Sequence, residues 1–316
     1  MNGRNRHLQY RRSVYRRRQL RFGLILTVII VSVLVLVFLI VGNLLHKKNP
    51  TKVDTEREDT HPEMTGEEHA TPPSVQARTV LLETNDSTTF ATRIRALTES
   101  GGTAVSIPLN TLDGSLLYYS EMGTKLGYAT KGAPTVSISS AMAQIGDVSI
   151  HCSGVFYLTA FSQTDPLLRS VELSRGAAML AEAIQQGLDD VLLLAPAMTA
   201  EHTDELLRFV EDIRILAPNA SVGLALSQGI LTHEQASDHI DRLWNGVDFL
   251  ALNASEYGSA DPVSHATQTV NDSSMMYNRL RYHMRILLPS CPDAETTDAV
   301  IAAVEEAGVD SWQILS

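Results

Sequence analysis

Several recognisable kinds of chemistry are missing from this sequence of 316 residues. It has no G-x-G-x-x-G and no P-loop, which removes the standard phosphate cradles. Ser139, Ser162 and Ser227 lack the G-x-S-x-G setting of an activated serine, so an acyl-transfer triad has no support. Ten histidines are present, among them His61, His69, His202, His233, His239 and His265, yet none falls in an H-E-x-x-H or H-x-E-x-H spacing, and solvated surface histidine accounts for them. No metal and no cofactor is therefore expected. Two cysteines, Cys152 and Cys291, allow one disulfide at most. Acidic residues are missing from the first fifty positions altogether.

That last absence is paired with an excess. Arg4, Arg6, Arg11, Arg12, Arg16, Arg17, Arg18 and Arg21 precede a run without a charged side chain, Phe22 to Leu45, whereas only Lys47 and Lys48 follow it closely. The run is long enough to cross a hydrocarbon core of roughly 30 Å as a helix. A cleaved signal peptide or a buried helix is the alternative, but the run exceeds a signal h-region and "VGNLLHKKNP" carries no small-x-small cleavage site. An uncleaved single-pass anchor at the cell membrane is expected, with residues 1–21 as a basic cytoplasmic arm and the rest outside, as the positive-inside rule requires. The arm's position before a span explains its arginines without nucleic acid; contact with anionic lipid heads is compatible with it. All 36 acidic residues follow position 50, against 15 of the 25 Lys and Arg, so that part carries −21 and is not built to seek nucleic acid.

Residues 46–78 are rich in Pro, Thr and Glu and nearly devoid of large apolar side chains, the composition of a solvated stalk. As a flexible coil it spans on the order of 30 Å. From Thr79 short apolar runs alternate with helical stretches: "TVLLE", "TAVSIPL", "GVFYLTAF", "DVLLLAP", "SVGLALS", "DFLALNAS", "RILLPSC" and "SWQILS". Continuous Val, Leu and Ile runs mark strands covered on both faces, and strand-helix alternation with short links makes a parallel sheet. Eight strands predict a (β/α)8 TIM-like barrel over 79–316, lacking its last helix; an open doubly wound sheet is the rival. "PTVSIS" at Pro134 could make a ninth strand and is read as a hairpin or loop before a helix around Ala141. Cys152 before the third strand and Cys291 after the seventh then fall at opposite ends of strands about 17–20 Å long, beyond the roughly 7 Å a disulfide allows, so two free thiols are expected.

Two segments carry a resemblance. "GGTAVSIPLNTLDGSLLYYSE" matches a K-D-x-x-G-x-x-x-Y-x-S pattern through Asp113, Gly114, Tyr118 or Tyr119, and Ser120, and "GVFYLTAFSQTDPLL" matches G-I-Y-x-I-A-R-x-x-x-F-x-D-P-x-L through Tyr157, Phe161, Asp165, Pro166 and Leu168. Both patterns are those of a family of bacterial glycoside-hydrolase-like barrels, which the chain resembles over most of Thr79 to Ser316, including "GVDFLALNASEYG" at the sixth strand. The departures concern chemistry. The family's Lys is replaced by Asn110 or Thr111, its third-strand Arg by Thr159 or Ala160, and the acid-bearing end of its fourth strand by Ala195 and Pro196, while Asp189 and Asp190 precede that strand.

Glycoside hydrolysis needs two carboxyl groups about 5–10 Å apart, and in a barrel they stand at the C-terminal strand ends. Candidates there are Asp113, Asp165, Glu256, Asp261, Asp293 and Glu295. Asp113 in "LDGS" also suits a turn, Asp165 before Pro166 a helix start, and Asp293 or Glu295 a cap. If acids act, the pair is Asp165 with Glu256, or an acid after strand seven; substrate contacts fall to Asp113, Tyr118, Tyr119, Tyr257 and Asp293. Tyr128 and Phe161 lie on the same side, with core packing equally compatible for Phe161. The resemblance with its departures implies a catalytically degenerate barrel binding cell-envelope glycan or a protein partner. An active glycosidase and a scaffold without a ligand pocket are the alternatives.

Overall fold

The structure is a computed structural model that describes residues 74–82, 86–231, 233–254, 261–276, 284–291 and 293–315. The basic arm, the apolar run 22–45 and most of the stalk lie outside the described residues. Among the described residues no helix is long and apolar enough to cross a membrane.

Eight parallel strands close on themselves in sequence order: β1 (Gln76–Thr79), β2 (Ala104–Pro108), β3 (His151–Tyr157), β4 (Asp190–Leu194), β5 (Ser221–Leu226), β6 (Phe249–Asn253), β7 (Met284–Pro289) and β8 (Trp312–Leu315). Closure is made where Gln76 faces Trp312 and Ala77 faces Gln313. That pairing decides for the (β/α)8 barrel, because β1 takes the last strand as its second neighbour and no strand is left at an edge, whereas an open sheet leaves two. The helices are α1 (Ser87–Glu99), α2 (Glu121–Leu126), α3 (Ile138–Ile145), α4 (Pro166–Gln185), α5 (Thr203–Leu216), α6 (Gln228–Leu231), α7 (Ala236–Gly246), α8 (Pro262–Met276) and α9 (Ala294–Glu306).

Short polar side chains start several of these helices by taking an orphan backbone N–H. Asp86 accepts from Thr88 N at 2.9 Å, Ser120 from Gly123 N at 2.7 Å, and Ser137 from Ser140 N at 3.1 Å. The last of these shows that "PTVSIS" is the lead-in to α3, as read from its sequence.

Outward-facing residues such as Val191, Leu193, Val222 and Leu224 pack under the helices in one large core, whereas Val155, Leu192, Leu194, Ala225, Ala251 and Leu287 form a separate cluster inside the barrel. The period of two that sorts them follows from the strand's alternation of faces. At Gly223 the interior is crowded enough that a Cβ would collide with the Phe249 ring of the adjacent strand.

Two strand boundaries differ from the sequence reading. The first strand lies at Gln76–Thr79 rather than over "TVLLE", so its start falls in the segment read as the end of the stalk. Ala77 and Thr79 are small enough for the barrel wall near Ala104, while Val80 and Leu82, the apolar pair that drew the eye, belong to the outer core. The third strand starts at His151, so Cys152 is inside it, and "TAFS" turns as a 3-10 helix. Both cysteines are free, Cys152 at the start of β3 and Cys291 just past the end of β7.

Candidate functional site

The C-terminal mouth of the barrel is where this fold places its chemistry, and four of the described acids there are occupied with building loops. Asp113 accepts from the Thr111 hydroxyl and from Ser115 N at 3.0 Å, closing the turn at Gly114, whose φ is 84°. Asp165 caps α4 by accepting from Leu167 N at 2.8 Å. Asp261 accepts from Ser264 N at 3.1 Å and Ser264 Oγ at 2.6 Å at the start of α8. Asp293 caps α9, taking Thr296 N at 2.7 Å and Thr296 Oγ1 at 2.9 Å. All four are exposed.

Hydrogen bonding to the charged form favours it. The Thr111 hydroxyl holds Asp113 below the ordinary carboxylate range, the Ser264 hydroxyl does the same for Asp261, and the Thr296 backbone N–H for Asp293. A glycosidase acid needs the opposite environment, apolar and pKa-raising, to carry a proton at neutral pH. Glu295 is an exposed first-turn residue of α9. Glu256 and Tyr257 lie outside the described residues.

The aromatic candidates divide. Tyr118 is 1% exposed, with its hydroxyl pushed up by burial and then by the Glu182 charge. Its ring is part of the core and is not available to a ligand, a correction to its place among the substrate contacts. Tyr119, next in sequence, is 46% exposed. Phe161 is buried with its ring 5.0 Å from that of His202. Tyr128 faces a cleft of about 210 Å³ between the long loop after β2 and helix α4, where Arg175 lies 5.0 Å from its ring centre and donates to Leu126 O. Asp113 and Glu172 line the same cleft, and Glu172 accepts from Gln163 Nε2 at 3.1 Å. Its floor is apolar, from Phe156, Leu158 and Ala160.

The Ala195–Pro196 end of β4 carries no acid, but its beginning does. Asp190 points into the barrel, where Arg285 of β7 meets it at 2.9 Å and His151 Nε2 of β3 at 2.7 Å. The Ser153 hydroxyl also donates to Asp190. Arg285 reaches Gln313 Oε1 at 2.9 Å and Ser153 Oγ at 3.1 Å, with its guanidinium 4.1 Å from the centre of the Phe249 ring. Gln313 in turn donates to Ser106 Oγ at 2.8 Å. Burial raises the Asp190 pKa, and the Arg285 charge with the His151 hydrogen bond outweighs it, leaving the carboxyl well below its ordinary range. Asp190, Arg285, Ser106, Ser153 and Gln313 are all buried. This clasp joins β2, β3, β4, β7 and β8 through the N-terminal half of the barrel, away from the mouth.

The barrel has counterparts among solved structures. The chain is similar to the endoglucanase Cel5A from the hyperthermophilic Thermotoga maritima, at 12% identity and a TM-score of 0.49, over 77% of this chain and 89% of that one. It is similar to the Bacillus cereus spore cortex-lytic enzyme SleL at 11% identity and a TM-score of 0.48, over 77% and 70%. A similar likeness, 13% identity and a TM-score of 0.46 over 76% and 82%, is to an L-ribulose 3-epimerase. No protein-family model matches the chain, and none of the curated proteins does. The activities these names state differ from one another.

Sequence reasoning passed over the clasp because Asp190 was placed before its strand. The signal was present: Arg285 and Gln313 are the polar members of otherwise apolar strands, "MRILLP" and "WQIL", and a period of two puts both inside. Among the described residues no group of three or more His, Cys, Asp and Glu side chains is placed to hold a metal ion.

Proposed function

We propose that this protein is a membrane-anchored, extracytoplasmic glycoside-hydrolase-like barrel that binds cell-envelope glycan without cleaving it. One observation carries the reading: four described acids of the mouth, Asp113, Asp165, Asp261 and Asp293, are turn and cap residues held on backbone N–H groups. A carboxylate engaged in this way is a poor proton donor and is not free to turn towards a sugar. The cleft beside Tyr128 supplies what a binding site needs instead: an aromatic ring, two carboxylates and a guanidinium over an apolar floor. Tyr119 and Asp113 stand on the loop that frames it. Membrane attachment and the outward orientation rest on the 22–45 run and the arginines before it.

The test is retention without turnover. The purified protein, incubated with insoluble envelope polysaccharide, sediments with it and releases no reducing ends above the buffer control, and Tyr128→Ala weakens retention. Release of reducing ends that Glu256→Gln abolishes would overturn the reading in favour of an active glycosidase. Protease added to intact spheroplasts removes the barrel while sparing the arm; protection of the barrel would refute the orientation.

A further inference from the structure

If the cleft beside Tyr128 is the glycan site, the charges of its lining select among sugars. Three charged side chains line it, Asp113, Glu172 and Arg175, and one positive against two negative charges leaves −1. Among the described residues neither carboxylate has a cationic partner. Asp113 is fixed in its turn by the Thr111 hydroxyl and Ser115 N–H, and contributes a charge held in place. Glu172 spends one oxygen on the Gln163 amide at 3.1 Å and keeps Oε2 without a donor among the described residues. Arg175 is engaged elsewhere: its guanidinium lies 5.0 Å from the centre of the Tyr128 ring and donates to Leu126 O.

Envelope sugars are anionic, neutral or cationic, and this lining treats the three differently. Asp113 and Glu172 repel an anionic sugar, as does a chain that carries −21 after position 50. A neutral ring takes water from the carboxylates and returns no charge to them. The amide that could read an acetamido group, that of Asn110, is already closed on Tyr157 N at 2.7 Å and Tyr157 O at 2.9 Å. A sugar ammonium instead gives Glu172 Oε2 a charge-assisted hydrogen bond, about twice as strong as a neutral one. The apolar face of such a ring has Phe156, Leu158 and Ala160 to rest on, and its hydroxyls have those of Thr159 and Tyr128, neither with a hydrogen-bond partner among the described residues. At about 210 Å³ the cleft is smaller than the roughly 300 Å³ at which pockets for drug-sized ligands begin, which suits one ring. We propose that the cleft takes a single amino-sugar ring with a free, protonated amine, so that the glycan it selects is de-N-acetylated. This rests on the binding reading above and narrows it to one class of sugar.

Calorimetric titration of the full-length protein in a neutral detergent compares the tetramers of glucosamine and of N-acetylglucosamine, with tetralysine as a bare-charge control. At about pH 5.5, below the roughly 7.7–8.0 of ordinary α-amino groups, the probe amines are protonated. The glucosamine tetramer is expected to bind at least about tenfold more tightly than either of the others. Glu172→Gln, which keeps a carbonyl for Gln163, brings the ratio between the two sugars close to one. Asp212→Asn removes the same charge from the exposed side of α5 and leaves the ratio unchanged. Both variants keep the parent's melting temperature. Equal binding of the two sugars by the parent, or an unchanged ratio in Glu172→Gln, would overturn the amino-sugar inference while the glycan reading stands. Tetralysine binding as tightly as the glucosamine tetramer would overturn it too, since charge alone would then be sensed. Binding of neither sugar would overturn both readings together.

Discussion

Replacing Arg285 by Met removes the cation from the barrel interior and leaves the buried Asp190 carboxylate with only the His151 and Ser153 hydrogen bonds around it. Taking one partner out of a buried ion pair costs about 3–5 kcal/mol, because the remaining charge stays desolvated. The lost stacking on Phe249, at 4.1 Å from the ring centre, lies within that range of effects. For a domain of this size the melting temperature falls by roughly 6–20 °C, at about 2–4 °C per kcal/mol. Asp190→Asn strands the guanidinium in the same way and has a similar cost. Combining the two removes both charges, so the double variant is no less stable than the worse single one, whereas independent effects would sum to about 6–10 kcal/mol. Urea unfolding of the parent and the three variants measures all four corners of the cycle. Additive losses, to within about 0.5 kcal/mol, would refute the clasp as a coupled unit. Acid supplies a second check. The folded-state pKa of Asp190 is depressed, so its stabilising contribution is full above the unfolded value of about 3.9 and is lost as pH falls from there towards the folded value. The stability gap between the parent and Asp190→Asn therefore narrows below about pH 4. A gap that widens there would contradict the assignment.

Other consequences are simpler to test. Gly223→Ala forces a methyl against the Phe249 ring, and overpacking of that kind costs about 1–3 kcal/mol by denaturant unfolding. Asp165→Ala lowers stability by about 1 kcal/mol and Asp165→Ser restores most of it, since either side chain caps α4; if neither Ser nor Asn at 165 restores stability over Ala, the cap account is wrong. Burial pushes the Cys152 thiol up to about 12, so a thiol reagent at pH 8 labels Cys291 in the native protein and reaches Cys152 only in denaturant. Rapid labelling of both native thiols would show that the start of β3 is open.

The barrel was legible because its construction is local and periodic. Runs such as "DVLLLA" and "SVGLAL" have no polar face, which only a sheet covered on both sides tolerates. Caps were legible for the same reason: Asp165 before Pro166, and Asp293 three residues before Thr296, act within one turn of their own position. β1 was misplaced because Val80 and Leu82 are more apolar than Ala77 and Thr79, and the barrel wall there needs small side chains. Tyr118 and Tyr119 are adjacent and chemically alike, and only the path of the loop after β2 buries one and exposes the other.

By itself the amino-acid sequence determined what depends on neighbours along the chain: the alternation of strand and helix, the helix starts, and the charge asymmetry on either side of the apolar run. The tertiary structure alone decided what depends on distant positions meeting. Asp190 and Arg285 are 95 residues apart and come together at 2.9 Å because β4 and β7 face each other across a closed barrel. Closure turned a polar residue at a strand's start into a buried ion pair, and it left Asp113 in a turn and Asp165, Asp261 and Asp293 at helix starts, where backbone N–H groups engage them.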